Sequence, residues 1–232
     1  MPGAAVNERL TIEVDPACRV SALFERPGAA RAVFVLAHGA GAGMEHRSMQ
    51  AIAAGLAGRG IATLRYQFPY MERKSRRPDP PALCHATVRA AVAEAARLAP
   101  DLPLIAGGRS FGARMTSQAQ AQAALAGVRG LVFLAFPLHP AGRPGRERAA
   151  HLQDVGIPML FIQGSRDELA DLGLLRPLVE CLGPAATLHV LEDADHSFHV
   201  PVRSGRKDSD VQEAALDALC TWMDGLGGPP GS

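Results

Sequence analysis

No run in this sequence approaches the roughly 18 consecutive apolar residues that a bilayer-spanning helix needs, so no spanning segment is predicted. Neither charge is in excess. There are 24 basic residues against 23 acidic ones, a net of +1, which gives neither nucleic acid nor an anionic membrane surface much to attract. Residues 1–10 lack a cationic start followed by an apolar run, so no secretory signal is predicted. The four cysteines, Cys18, Cys84, Cys181 and Cys220, are far apart, and no two form a C-x-x-C pair. They read as free thiols in apolar or mixed surroundings, and a reducing, cytoplasmic setting is the expectation. There is no repeat at a fixed period and no shift in composition that would mark a second domain.

What is present is an alternation. The 232 residues suit a single domain over 1–226, followed by a Gly- and Pro-rich tail at 227–232 that is predicted to be frayed. Early strands are predicted at 10–14 and 20–24. The continuous apolar run Ala32–Ala37 suits a strand buried on both faces. A helix follows at 46–59, then a strand at Ile61–Tyr66, a Pro- and Arg-rich loop at 67–80 and an Ala-rich helix at Pro81–Leu98. The remaining predicted strands are 104–106, 131–136, 158–163 and 187–191. The remaining helices are 113–126, 147–153, Leu172–Leu182 and 208–226. Strands alternating with helices indicate βαβ units, hence an α/β fold with a doubly wound, mainly parallel sheet flanked by helices. The connection from the 131–136 strand to the next helix is too short for a large cap domain, so any site on the sheet edge should be open or covered only by loops.

One pentapeptide carries chemistry. Gly108-Arg109-Ser110-Phe111-Gly112 matches G-x-S-x-G and lies between a short strand and an Ala-rich helix, the setting this motif requires. Glycines two residues before and after the serine let strand and helix approach across a sharp turn. The turn lifts the Ser110 hydroxyl above the sheet edge. A glycine-rich turn whose serine merely caps a helix would look similar over five residues, so the partners decide.

A serine hydroxyl needs a base to attack carbon. For a serine on such a turn, an acid and then a histidine follow at the ends of later strands. Asp167 is the first carboxylate after the 158–163 strand, with Glu168 and Asp171 as rivals. His196 follows the 187–191 strand in Ala194-Asp195-His196-Ser197-Phe198, with His199 as its competitor. Asp195 is read as an organiser of that loop. Acyl transfer also needs N–H donors aimed at the developing oxyanion. The Phe111 N–H should be one. The loop His38-Gly39-Ala40-Gly41-Ala42-Gly43 should supply the other, through Ala40 or alternatively Gly41. The same loop fails as a nucleotide cradle: Met44 stands where the dinucleotide fingerprint needs glycine, and no Lys-Ser or Lys-Thr follows.

These segments together resemble the dienelactone-hydrolase-like branch of the α/β-hydrolase superfamily, and within it a small capless clade with a serine nucleophile. The matching stretches are AHGAGAGMEH (37–46), GGRSFGAR (107–114), FPLHPAGRP (136–144), HLQDVGIPMLFIQGSRDEL (151–169) and DADHSF (193–198). The resemblance implies Ser110, Asp167 and His196 as a catalytic triad. It departs from dienelactone hydrolases at the nucleophile, a cysteine there and Ser110 here, which argues against dienelactone as substrate. The predicted function is a serine hydrolase of a small ester or thioester. The alternatives are acyl transfer to an acceptor other than water and an interaction module that keeps the fold without turnover.

The remaining features are read more plainly. Arg109 and Arg114 are expected in ion pairs behind the elbow, with contact to an acidic substrate group as the alternative. Arg73, Lys74, Arg76 and Arg77 are read as a solvated loop. Phe136, Pro137, Leu138, His139 and Pro140 are candidates for the wall of an acyl pocket. No cofactor is expected. No metal is expected either, since His196-x-x-His199 has neither the spacing nor the acid of a zinc helix. The expected partner is a small acyl compound.

Overall fold

The computed structural model describes residues 6–226; the predicted tail at 227–232 lies outside the described residues. Strands β1 (Val6–Asp15) and β2 (Cys18–Arg26) extend beyond the apolar cores that announce them. They form an antiparallel hairpin whose turn is closed by Asp15 Oδ1 accepting the Ala17 N–H at 2.8 Å, the usual role of an aspartate in a turn. There follow β3 (Ala32–Ala37), α1 (Arg47–Ala57), β4 (Ile61–Tyr66), α2 (Pro69–Glu72), α3 (Pro81–Leu98), β5 (Leu104–Arg109), α4 (Phe111–Gln122) and β6 (Val128–Leu134). The chain ends with β7 (Met159–Gly164), α5 (Leu172–Leu182), β8 (Ala186–Leu191) and α6 (Asp208–Asp224).

The strands form one eight-stranded sheet in the order β1-β2-β4-β3-β5-β6-β7-β8. The β1–β2 and β2–β4 pairs are antiparallel, and every pair from β4 to β8 is parallel. Helices cover both faces. Every residue of β3, β4 and β7 is buried; β3 therefore reads as an unbroken apolar run, while β4 also buries Thr63 and Arg65, and β7 Gln163. Val33, Val35 and Ala37 pack with α3, α4 and α5, whereas Phe34 and Leu36 pack with α1 and α6. The alternation is that of a strand between two cores.

Three local differences from the sequence reading have physical causes. Helix α4 starts at Phe111 and not at 113, because Ser110 itself makes the turn. Residues Glu147–Asp154 wind as a 3₁₀ helix. The Pro- and Arg-rich loop contains α2, started by Pro69 in the first helical position, where a missing N–H costs nothing. Tyr70 N–H donates to Asp79 Oδ2 at 2.6 Å and ties that turn down. Among the described residues, no helix is long and apolar enough to cross a membrane.

The chain leaves β3 for β4 on one side and returns to β5 on the other. Connections diverging from neighbouring strands open a crevice at the carboxyl end of a parallel sheet. The loop after β3 and the turn after β5 both lie at that switch point.

Candidate active site

Ser110 sits between the last residue of β5 and the first of α4 with φ 50° and ψ −111°. A non-glycine residue rarely holds this conformation, and it persists only where the surroundings impose it. Here they do. The Ser110 N–H donates to Leu134 O at 3.0 Å, and its carbonyl accepts from the Arg114 N–H at 3.2 Å. A Cβ on Gly112 would come within 2.7 Å of the Ala37 and His38 carbonyl oxygens, and one on Gly108 would overlap the Ala37 carbonyl. Both elbow glycines therefore serve to bring β5 and α4 against the end of β3.

The structure brings Ser110, His196 and Asp167 into one hydrogen-bonded chain. His196 Nε2 lies 2.8 Å from Ser110 Oγ, and His196 Nδ1 lies 2.7 Å from Asp167 Oδ2. A carboxylate only accepts, so Nδ1 carries the hydrogen and Nε2 presents a lone pair to the serine. The Asp167 side chain is fully buried and the His196 side chain is 26% exposed. Asp167 Oδ1 accepts the Leu169 N–H at 2.8 Å. The rival residues stand elsewhere. Asp171 caps α5, accepting the Gly173 N–H at 2.7 Å, and Glu168 is exposed. His199 pairs with Asp208 at 2.8 Å on the surface, and that carboxylate holds its imidazole above the usual range. Asp195 organises the loop as expected: its Oδ1 accepts the N–H groups of Ser197 and His199.

Two contacts at this site were not foreseen. Gln163, at the end of β7 and fully buried, donates Nε2 to Asp167 Oδ2 at 2.5 Å. It fixes the same oxygen that holds His196. Its signal in the sequence was a lone amide within the run Met159–Gly164. Arg109 also departs from expectation. Instead of an ion pair, its Nη2 donates to the His196 carbonyl at 2.9 Å, and its guanidinium lies 5.2 Å from the centre of the Phe198 ring. Burial pushes its pKa down, with Asp167 and Asp195 pulling the other way. Arg114 likewise makes no ion pair among the described residues and lies over the Phe111 ring at 5.9 Å. Phe136 and Leu138, candidates for a pocket wall, are fully buried in the core instead.

The glycine loop after β3 is held from beneath. Fully buried His38 donates from Nδ1 to Gly39 O at 2.8 Å and accepts the Phe68 N–H on Nε2 at 3.0 Å. Gln67 Oε1 accepts the Met44 N–H at 2.8 Å, and Arg65 Nη1 donates to Met44 O at 3.0 Å. Gly41 N–H makes a long contact of 3.4 Å to the Tyr70 hydroxyl. Among the described residues the Ala40 and Phe111 N–H groups have no such acceptor, so Ala40 is favoured over Gly41 as the free donor.

Burial pushes the His38 imidazole from 6.5 down to about 4. A base depressed in the folded state binds fewer protons there than in the unfolded chain. Stability from this group is therefore complete above about pH 6.5 and is lost as the pH falls towards 4, by roughly 3 kcal/mol in all. His151, also pushed down to about 4 by burial, acts in the same direction. Denaturant unfolding at pH 7 and pH 5 is expected to show a smaller loss for His38→Gln than for the wild type. Equal losses would remove His38 from the account.

An open groove of about 930 Å³ runs past Ser110 and His196, between the start of α1 and the start of α6. Among the described residues no separate domain covers it.

The family described as alpha/beta hydrolase domain matches residues 30–224. The fold is also that of several solved structures. A serine hydrolase homologue from Coxiella burnetii superposes with a TM-score of 0.74 at 21% identity, over 93% of this chain and 99% of that one. A serine hydrolase without lid from Xanthomonas campestris gives 0.73 at 24%, over 96% and 97%. A dienelactone hydrolase from Anabaena variabilis gives 0.75 at 18%, over 94% and 97%.

Proposed function

The chain belongs to the alpha/beta hydrolase family, and from that premise we propose that it is a serine hydrolase that cleaves a small ester or thioester through an acyl-enzyme. The observation that carries this reading is the unbroken path from Ser110 Oγ to His196 Nε2, at 2.8 Å, and from His196 Nδ1 to Asp167 Oδ2, at 2.7 Å.

Ser110 Oγ attacks the acyl carbon while its proton moves to His196 Nε2. The electron pair displaced onto the carbonyl oxygen is met by the N–H groups of Ala40 and Phe111, preformed donors of the kind that supply the largest single term in acyl transfer. Asp167 keeps the imidazole in the productive tautomer and offsets the charge of the imidazolium. His196 then passes the proton to the leaving oxygen or sulfur, and the acyl group stays on Ser110. Water attacks that ester with His196 again as base, which releases the acid and restores the serine.

A fluorophosphonate reagent is expected to modify folded protein at Ser110, as read by peptide mass, and Ser110→Ala is expected to lose the adduct. Well-folded wild type that takes no label would point instead to a module that keeps the fold without turnover.

A further inference from the structure

A smaller space opens off the groove between α1 and α6. Its apolar wall is Ile52 from α1, Leu134 at the end of β6, Phe198 from the His196 loop, and Ala215 and Leu216 from α6. Its volume is about 70 Å³. It is continuous with the groove, because Ser48, Arg109, Ser197, Asp208 and Gln212 line both. Ser110 and His196 line the groove and not the notch, so a chain on Ser110 would enter the notch through this shared wall.

We infer that this notch is the acyl subsite and that it takes an unbranched aliphatic chain about as long as a butyryl group. The inference rests on the proposed acyl-enzyme chemistry and adds a substrate class to it. The size follows from comparison: a dry apolar cavity of about 150 Å³ accepts benzene, six carbons. A space of about 70 Å³ then holds roughly three carbons, which is what butyryl carries beyond its carbonyl. The polarity of the two spaces sorts the halves of the substrate. An aliphatic chain gains by leaving water for the notch. The groove carries His46 and Arg47 at the start of α1, and Arg47 makes no ion pair among the described residues. A polar leaving group fits there.

The test is a series of p-nitrophenyl esters from acetyl to octanoyl, measured as kcat/KM. Each methylene that enters the notch is expected to raise the value about fourfold, so butyryl should exceed acetyl by about 15-fold, and hexanoyl and octanoyl should fall back. Ala215→Leu fills the notch and is expected to return the optimum to acetyl. Ile52→Ala enlarges it and is expected to move the optimum beyond butyryl, which keeps the test decisive if the leucine variant fails to fold. A flat profile, a rise through octanoyl, or an optimum that neither variant moves would overturn the subsite while leaving the hydrolase reading intact. So would variants that alter selectivity among alkyl acetates, where only the alcohol changes. Absence of both ester cleavage and Ser110 labelling would instead remove the catalytic reading, and the subsite with it.

Discussion

His196→Ala is expected to lower kcat on a short p-nitrophenyl ester by about 10⁶-fold, the loss typical when the base of such a triad is removed. The size of the effect comes from the single route open to the serine proton: among the described residues, His196 Nε2 is the only hydrogen-bond partner of Ser110 Oγ. Ser110→Ala should cost as much. The double variant should cost no more than either alone, because nucleophile and base act as one unit. His199→Ala is the discriminating comparison. That imidazole is turned to the surface and paired with Asp208, so the variant is expected to keep turnover and Ser110 labelling. Initial rates over a wide enzyme concentration range read all four proteins. A large loss in His199→Ala with activity kept in His196→Ala would reverse the base assignment.

The second large effect is on folding. Gly107→Ala is expected to yield no stably folded protein. Gly107 lies in β5 opposite Val132 of β6, with φ +152°, and a Cβ there would overlap the Val132 carbonyl oxygen and crowd the rest of that peptide. The clash is with backbone in the middle of a parallel sheet, so no side chain can turn away to relieve it. A cost above about 4 kcal/mol belongs to this kind of site and is a large part of a total stability of about 5–15 kcal/mol. Gly142→Ala provides the control. Its φ is +69° with nothing within 4 Å, so only left-handed strain of about 1–2 kcal/mol is added. Soluble yield and thermal melts followed by circular dichroism would separate the two. A cooperative melt of Gly107→Ala near the wild-type midpoint would contradict the packing described for β5 and β6.

Gly107 also shows where the sequence is hard to read. Strand β3 matched its apolar run to the residue, and β4 matched its predicted bounds although it buries Thr63 and Arg65. Strand β5 ends in Gly107-Gly108-Arg109, three residues with no apolar signal. The two glycines are buried, and the third residue is half-buried with its guanidinium folded onto Phe198. The strand therefore looked three residues shorter than it is. Ser110, Asp167 and His196 stand out in the sequence because each lies in the connection that follows a strand, a position that chain order fixes. The expectation of an ion pair for Arg109 failed for an electrostatic reason. Of the two acids that act on it, Asp167 is already engaged by His196, Gln163 and Leu169, and Asp195 by the amides of its own loop. Gln163 was invisible as a contact because a sequence shows that a polar residue lies in an apolar strand, but not which carboxylate it faces.

The uncovered groove over Ser110 has a meaning in time. Where a mobile lid must open and shut, its movement often sets the pace of turnover. Under the proposed chemistry an acyl donor would meet a surface already in its reactive arrangement, and a product would leave without waiting for a gate. Bulk water would reach the proposed acyl-enzyme just as freely, and its lifetime would then be set by the chemistry at His196. An acceptor alcohol or thiol would have to outcompete the solvent itself. Hydrolysis is the outcome that such an open geometry favours.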